Sequence, residues 1–403
     1  MYKLFLIKRV IENIFIYPFI LIGRLIAKLY PQKKEYRVFF FFPFYHTGGA
    51  EKVHAQIAEA AGGEDCIIYF TRRSSDNRFL EDFKNSKCEI KDISKFTDNK
   101  WFYFLNLVYR GIITGYINKQ EQQPVVFNGQ CNFAYKISPW VMNHIKQIEL
   151  IHSLNSFSHI RIPFIPFITK TVMISRQRIE DHKKLYERLH IPLTIADRII
   201  YISNAIPLPA SVRYDRPFSP FKVLYSGRPG PEKRIELIIK MAKELNKMYK
   251  DIQFEMIGDM SSLIDSSDFS FIKFHGNIND NEKINSIYSG AHLLLITSTT
   301  EGFPMVIMEA MANGCAIIAT PVGDIPFHIN NNENGFLFTS ISDESLIVRE
   351  GCEKILWLKN NPQQWKKISE TNIKYANDHF GLKHFNSAYR NLLKKNTSGL
   401  LIL

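Results

Sequence analysis

Cysteine is scarce and scattered in this sequence. The five residues, Cys66, Cys88, Cys131, Cys315 and Cys352, include no pair at CxxC spacing. An odd count without a spacing pattern argues against a disulfide framework or a zinc ribbon, and fits reduced thiols in a cytosolic protein. The twelve histidines show neither HExxH nor a Cys/His cluster, so no metal is expected. Zinc-finger and RNP signatures are absent as well, which turns the reading away from nucleic acid. Near the start, the apolar run Ile14–Ile22 has nine residues, where a bilayer span needs about 20. Glu12, Asn13 and Arg24 interrupt any longer window, and Gly23–Ala27 makes a poor signal-cleavage site.

What is present is a chain of 403 residues, 45% hydrophobic and 22% charged, the composition of a folded protein with two domains. Its net charge of +12 is unevenly placed. Residues 1–40 carry eight Lys/Arg and two acids, residues 141–216 eleven and six, and residues 217–403 twenty and twenty. The positive excess therefore sits in the first half, as expected of a half that faces an anionic membrane. Lys8, Arg9, Glu12 and Asn13 share one helical face beside the apolar run, which fits a helix in the membrane interface with basic residues reaching for headgroups. The competing reading is an extra helix packed on the protein's own body.

Strand and helix patterns alternate twice. Arg37–Phe42 reads as a strand running into the glycine turn Thr47–Gly49 and a helix from Ala50 to Ala61. Further strands are expected at 66–70, 125–127, 148–151, 171–174 and 199–202. Tyr214–Pro220 reads as a linker, after which the pattern restarts. Strands are expected at 222–225, 252–257, 292–296 and 315–319, and helices at 233–248, 284–289 and 305–312. Helical spacing fills the tail from about 343 to 393. The fold class is therefore α/β, with two doubly wound, Rossmann-like domains, whose ligands bind beyond the carboxyl ends of the strands.

Four elements carry candidate chemistry. In Glu301-Gly302-Phe303-Pro304-Met305-Val306, Pro304 suits a first helical turn, and the free N–H groups there suit a phosphate. Glu301 before the helix and Glu309 inside it can each take hydroxyls, one set from a sugar and one from a ribose. Gly227-Arg228…Lys233 lies on the turn after the first strand of the second domain, and its two cations could neutralise a diphosphate leaving group. Gly48 and Gly49 let a ligand approach the matching turn of the first domain. His152 ends the 148–151 strand and could bond a sugar hydroxyl, although a lone histidine is more often structural.

Together these elements resemble the family 4 retaining glycosyltransferases of the GT-B fold (glycosyl transferases group 1), over about Phe39 to Phe338. The E-G-F-P context with glutamates eight apart, Glu301 and Glu309, is the most specific match. Gly227 to Lys233 matches G-R-x-x-P-E-K, Gly48 to Lys52 matches G-G-x-E-K, and His152 matches a histidine after a first-domain strand. Three departures stand out: Gly258-Asp-Met260 for G-x-G, Arg234 where glycine commonly follows the lysine, and Val322–Phe327 without the second glycine and glutamate.

The resemblance implies two domains facing each other across a cleft. It divides the chain into a membrane-associating segment (1–35), an acceptor domain (36–215), a donor-nucleotide domain (216–375) and a C-terminal helix crossing back (376–403). It also implies a UDP- or GDP-linked sugar donor, no other cofactor, a metal-independent mechanism, and Arg228, Lys233, Glu301 and His152 as the reacting set. The charge asymmetry then places a saccharide or lipid-linked saccharide acceptor on the basic half, at the inner face of the cytoplasmic membrane. Bacterial cell-surface polysaccharide or lipopolysaccharide assembly is the matching role. Ile160–Ile168 is either a second membrane or acceptor surface or a buried loop. Two rivals share the features: a GT-B-fold sugar-nucleotide epimerase and a non-catalytic nucleotide-sugar-binding protein at a membrane.

Overall fold

A computed structural model describes residues 1–99, 101, 103–152, 159–212, 215–261, 269–278 and 280–394, apart from the Asn281 side chain. The chain divides into two compact units: Met1–Ser203 with Phe385 onward, and Asn204–His384. The division falls at Ser203/Asn204, upstream of the expected linker, whose Tyr214 is outside the described residues. Residues 395–403 of the expected C-terminal segment are outside them too.

The first unit is built on a seven-stranded parallel sheet. In chain order its strands are β1 (Val38–Phe42), β2 (Cys66–Phe70), β3 (Glu89–Asp92), β4 (Val125–Asn128), β5 (Lys146–Ile151), β6 (Lys170–Met173) and β7 (Ile199–Tyr201). Their spatial order is β3-β2-β1-β4-β5-β6-β7, so the strand order reverses between β1 and β4. β1 is Val-Phe-Phe-Phe-Phe, with every residue buried. It pairs through Val38 with Cys66 on one side and Val125 on the other. Strands covered on both faces read as continuous apolar runs, which is why β1 and β2 are plain in the sequence. β3 is Glu-Ile-Lys-Asp at the sheet edge and has no such signature.

Helices cover this sheet: α1 (Tyr2–Leu29), α2 (Gly49–Ala61), α3 (Tyr103–Asn118), α4 (Asn132–Ile137) and α5 (Arg176–Leu189). α1 is one continuous helix of 28 residues, about 42 Å long at 1.5 Å per residue. By length and composition it could cross a bilayer, which the nine-residue run had excluded. It also packs on the protein. A Cβ on Gly23 would meet the Gly111 Cα at 2.7 Å, and one on Gly115 would meet the Ala27 Cβ at 2.7 Å. Contacts that advance four residues together on both helices mean that α1 and α3 run parallel with their backbones touching.

The second unit holds a six-stranded parallel sheet of β8 (Phe221–Ser226), β9 (Ile252–Ile257), β10 (Ile272–Phe274), β11 (Leu293–Ile296), β12 (Ala316–Ala319) and β13 (Gly335–Leu337). Its order is β10-β9-β8-β11-β12-β13, with the reversal between β8 and β11. The covering helices are α6 (Ile235–Met248), α7 (Asn281–Gly290), α8 (Met305–Ala312), α9 (Glu344–Asn360) and α10 (Pro362–His379). A last helix, α11 (Leu382–Leu392), carries Phe385 onward into the first unit. There Tyr389 is buried against Phe127, and Arg390 Nε donates to the Ala60 carbonyl at 2.7 Å.

Candidate active site

In an open parallel sheet, ligands gather beyond the carboxyl ends of the two strands where the order reverses. In the second unit those strands are β8 and β11. The turn after β8 carries Gly227, Arg228 and Lys233, and the loop after β11 carries Glu301 to Pro304. The expected site residues of this unit thus share one end of one sheet.

Two of them touch. Lys233 Nζ donates to Glu301 Oε1 at 2.6 Å, and Ser298 Oγ donates to the same oxygen at 2.6 Å. Both side chains are mostly enclosed, with 22% of Lys233 and 12% of Glu301 exposed. The contact follows from the way the turn is fastened to the loop. Thr299 N–H donates to the Glu232 carbonyl at 2.8 Å, and Thr297 Oγ1 donates to the Lys233 carbonyl at 2.8 Å. Arg234 Nε donates to the Thr297 carbonyl at 2.8 Å, and its Nη1 donates to the Ile341 carbonyl at 2.6 Å. Arg234 itself has φ +47°, in the left-handed region. That conformation explains why glycine suits the position, and the two carbonyl bonds explain how an arginine is held there.

Arg228 is exposed on the same turn and makes no such pairing among the described residues. Its carbonyl accepts from the Tyr225 hydroxyl at 3.2 Å. Gly227 has φ +158°, and a Cβ on Gly258 would meet the Gly227 oxygen at 2.1 Å. The close approach of these two turns requires glycine at Gly258.

Pro304 is the N-cap of α8, which spans the expected 305–312. Met305 and Val306 supply the first helical N–H groups, which a helix leaves without intrahelical acceptors. The Gly302 carbonyl accepts from Asp324 N–H at 2.8 Å, fixing the loop before the helix. The Phe303 side chain is buried and stacks on His328 at 4.0 Å between ring centres, so only its backbone is offered to a ligand. Glu309 lies four residues into α8, just over one turn. Beside it is the fully buried Tyr288, whose hydroxyl titrates far above its ordinary value, first through burial and then through the Glu309 charge.

In the first unit, Gly48 and Gly49 open α2, and the structure shows what the first glycine is for. A Cβ on Gly48 would meet Glu51 Oε2 at 2.0 Å, so the Glu51 side chain folds back over it. Nothing lies within 4 Å of a Cβ on Gly49. His152 follows β5, and its Nε2 is 2.9 Å from Nε2 of His54 on α2. Burial lowers the His152 pKa to about 4, and burial with His152 lowers that of His54 well below its usual value. Both imidazoles are therefore neutral near pH 7, one donating its proton and the other accepting. His54 escaped the sequence reading, as did Tyr288 and Thr297. His54 had one available signal: it falls one helical turn after Glu51 on the helix opened by the glycine pair. Among the described residues, no group of three or more His, Cys, Asp or Glu side chains is placed to hold a metal ion.

Packing bears on two stretches of the first unit that had alternative readings. Within Ile160–Ile168, Arg161, Ile162, Phe164 and Ile165 are buried, so this stretch is largely a buried turn. Lys8, Arg9, Glu12 and Asn13 do share a face of α1, but they line a cavity in the protein, and Arg9 donates to the Pro163 carbonyl.

Comparison with known proteins fits this arrangement. Residues 213–375 match the family model "Glycosyl transferases group 1". Over 135 residues the chain is 30% identical to the GtfA subunit of a UDP-N-acetylglucosamine–peptide N-acetylglucosaminyltransferase of Streptococcus pneumoniae serotype 4. That match covers 31% of this chain and 25% of the relative. An uncharacterized glycosyltransferase of Methanocaldococcus jannaschii is 28% identical over 159 residues, 38% of this chain and 42% of that one. The chain therefore matches less than half the length of either relative. Among solved structures, HepE of Anabaena in complex with UDP and glucose superposes with a TM-score of 0.67 at 15% identity, covering 89% of this chain and 99% of that one. The lipopolysaccharide outer core galactosyltransferase WaaB superposes with a TM-score of 0.64 at 18% identity, covering 88% and 99%. Residues 213–375 of this chain thus match the glycosyl transferases group 1 family, and the chain has the GT-B fold.

Proposed function

We propose that this protein is a retaining glycosyltransferase that moves a sugar from a UDP- or GDP-linked donor to a saccharide or lipid-linked saccharide in bacterial cell-surface polysaccharide or lipopolysaccharide assembly. The observation that carries the reading is the Lys233–Glu301 pair at the strand-order reversal of the second sheet, inside the stretch that matches the family. A uridine nucleotide is favoured by similar proteins: the GtfA subunit is named for UDP-N-acetylglucosamine, and HepE and pneumococcal GtfA are bound to UDP in their structures.

In this reading Lys233 and Arg228 hold the charge of the donor diphosphate, together with the N–H groups that open α8. Glu301 takes hydroxyls of the sugar and Glu309 those of the ribose. The bond between the anomeric carbon and the leaving phosphate oxygen breaks while the acceptor oxygen bonds to the same face of that carbon. The acceptor proton passes to the leaving phosphate oxygen, so the reading calls on no dedicated base and no metal. Neutral His152 bonds a sugar hydroxyl.

The same proposal places the protein at the cytoplasmic membrane face. Leu4, Ile7, Ile11, Ile14, Ile22, Leu25 and Leu29 are exposed and fall three, four or eight residues apart, forming one apolar stripe on α1. A surface helix in water turns that face inward. A stripe turned outward, with Lys3 and Lys28 nearby, suits the interface of an anionic bilayer. Replacing Leu4, Ile11 and Leu25 by Ser should release the protein from anionic vesicles in a flotation assay. Unchanged binding would remove the helix from that role.

The catalytic proposal is tested by thermal-shift screening against UDP, GDP and ADP sugars, followed by a transfer assay with the hit. A glycoside plus free nucleotide is the expected product. Free epimerised nucleotide-sugar would establish the epimerase instead, and no stabilisation by any sugar nucleotide would overturn the reading.

A further inference from the structure

α1 buries Tyr2, Ile20, Gly23 and Ala27 against the protein, yet a second apolar stripe turns out, and Arg9 and Asn13 are half-buried on the protein side. The inward face of its first half roofs a cavity of about 610 Å³ in the first unit. That is ample for a small ligand, since such sites run from about 300 to 1,000 Å³. The roof is carried at both ends. Gly23 rests on Gly111 of α3, and Tyr2, Phe5 and Leu6 pack on Ile162, Leu185 and Tyr186. With α1 and α3 parallel and Gly23 level with Gly111, Phe15 is level with Tyr103, and the first half of α1 extends beyond the start of α3.

The lining has two chemistries. Four cations, Lys8, Arg9, Arg110 and Lys136, face one carboxylate, Glu12, among the residues around the cavity. Arg110 is the informative one, because it is 3% exposed and has no carboxylate hydrogen-bonded to it among the described residues. Its Nε donates to Asn106 at 3.0 Å and its Nη2 to the Tyr103 hydroxyl at 3.2 Å. Glu12 lends Arg110 some charge compensation across the cavity, but burying a guanidinium without a carboxylate hydrogen bond is costly. Burial lowers the Arg110 pKa, and although burial alone would raise that of Tyr103, Arg110 and Lys136 bring it below its ordinary value. Arg9 Nε is shielded from solvent and has no hydrogen-bond partner among the described residues. Asn13, Tyr103 and His159 add polar groups, and the rest of the wall is apolar: Phe5, Phe15, Ile16, Ile160, Pro163 and Phe164. Phe15 continues outward, 74% exposed, beside the apolar stripe of α1.

We propose that this cavity binds an amphiphile bearing a phosphate or diphosphate ester, the anionic head against Arg110, Arg9 and Lys136 and the chain leaving along Phe15 and the stripe of α1. The inference deepens the reading of a lipid-linked acceptor, naming where its phosphate sits. A head buried among cations with a tail leaving along an apolar helix face requires one molecule with both properties. Inorganic phosphate lacks the tail, and a neutral alcohol lacks the head.

Titration of the full-length protein with farnesyl diphosphate, in the absence of any sugar nucleotide, tests this by calorimetry. Farnesol and inorganic pyrophosphate are the comparison ligands. Farnesyl diphosphate should bind at least tenfold more tightly than either. Lys136→Glu should weaken it at least tenfold without changing the melting temperature or affinity for the sugar nucleotide. Arg110→Gln should do the same, and Lys136→Glu decides the matter if Arg110→Gln fails to fold. Pyrophosphate binding as tightly as the farnesyl ester, or Lys136→Glu leaving affinity unchanged, would overturn the proposal. Loss of farnesyl diphosphate binding with intact sugar-nucleotide binding removes this inference alone. Farnesyl diphosphate binding with no response to any sugar nucleotide keeps it and removes the transferase reading.

Discussion

Lys233 and Glu301 are 68 residues apart in sequence and 2.6 Å apart in space, joined where the turn after β8 meets the loop after β11. A cation and a carboxylate so close act as a unit: each holds the other in place by a charge-assisted hydrogen bond. Lys233→Ala and Glu301→Gln should each lower kcat/KM for transfer by about 10²–10³-fold, the range for removing one preorganised electrostatic group. The double variant should lose little more than the worse single variant, because residues acting together are non-additive. Steady-state kinetics on all four proteins check this, and losses that multiply would show that the two groups work independently.

The fastening of the turn predicts an order of stabilities at Arg234. Arg234→Ala loses the bonds to the Thr297 and Ile341 carbonyls and keeps a left-handed backbone on a residue with a Cβ. Arg234→Gly loses the same bonds but removes the backbone strain, worth about 1 kcal/mol or more. Both variants should be less stable than the parent, with glycine the more stable of the two by about 1 kcal/mol in urea melts. Alanine equalling glycine would mean that φ +47° carries no strain there.

How far the sequence reveals this site depends on the kind of signal each residue leaves. Strands such as β1 and β2 are visible because burial on both faces demands a continuous apolar run. Edge strands β3 and β10 are short and partly exposed, so they leave none. Glu301, Glu309 and Lys233 stand in motif context, and their motifs placed them at the ends of the right strands. The Lys233–Glu301 contact was invisible, because it depends on side chain to carbonyl bonds from Thr297 and Arg234 that join segments more than sixty residues apart. The direction in which α1 turns its polar face was likewise out of reach. A wheel shows which residues share a face, and only the packing of Gly23 on Gly111 shows where that face points.

Acid should destabilise the fold through buried histidines. His292 is 1% exposed, and its Nδ1 accepts from Lys222 N–H at 3.0 Å, so protonation would set two donors against each other. Burial, then Arg216 and Lys222, lower its pKa to about 3. The unfolded chain protonates near pH 6.5, so it binds the proton first, and stability present above that pH is lost as pH falls toward 3. The slope is at most about 1.4 kcal/mol per pH unit for this group. His152 and His182, each lowered to about 4 with burial as the leading cause, add to it above that pH. His292→Asn keeps an acceptor and removes the titration, so urea melts between pH 6.5 and 4 should show a shallower loss. A parallel curve would exclude His292 as a contributor.

A buried ion pair sets the last prediction. Arg161 and Glu149 are 1% and 0% exposed, with Arg161 Nε 3.0 Å from Glu149 Oε2 and a second bond between Nη2 and Oε1. Burial alone would raise the Glu149 pKa, but Arg161, Thr171 and Tyr135 together bring it below its ordinary value. Thr171 Oγ1 and the Tyr135 hydroxyl donate to the same carboxylate at 2.6 and 2.7 Å. Removing the guanidinium leaves a desolvated carboxylate, so Arg161→Met should cost about 3–5 kcal/mol of stability. Removing both charges in Arg161→Met with Glu149→Gln should cost less than Arg161→Met alone, because no unpaired charge remains. The penalty for the single variant should also shrink at low pH, where Glu149 can take a proton. Chemical denaturation of both variants at pH 7 and pH 5 measures it, and a double variant less stable than the single one would mean that Glu149 contributes through its hydrogen bonds rather than its charge.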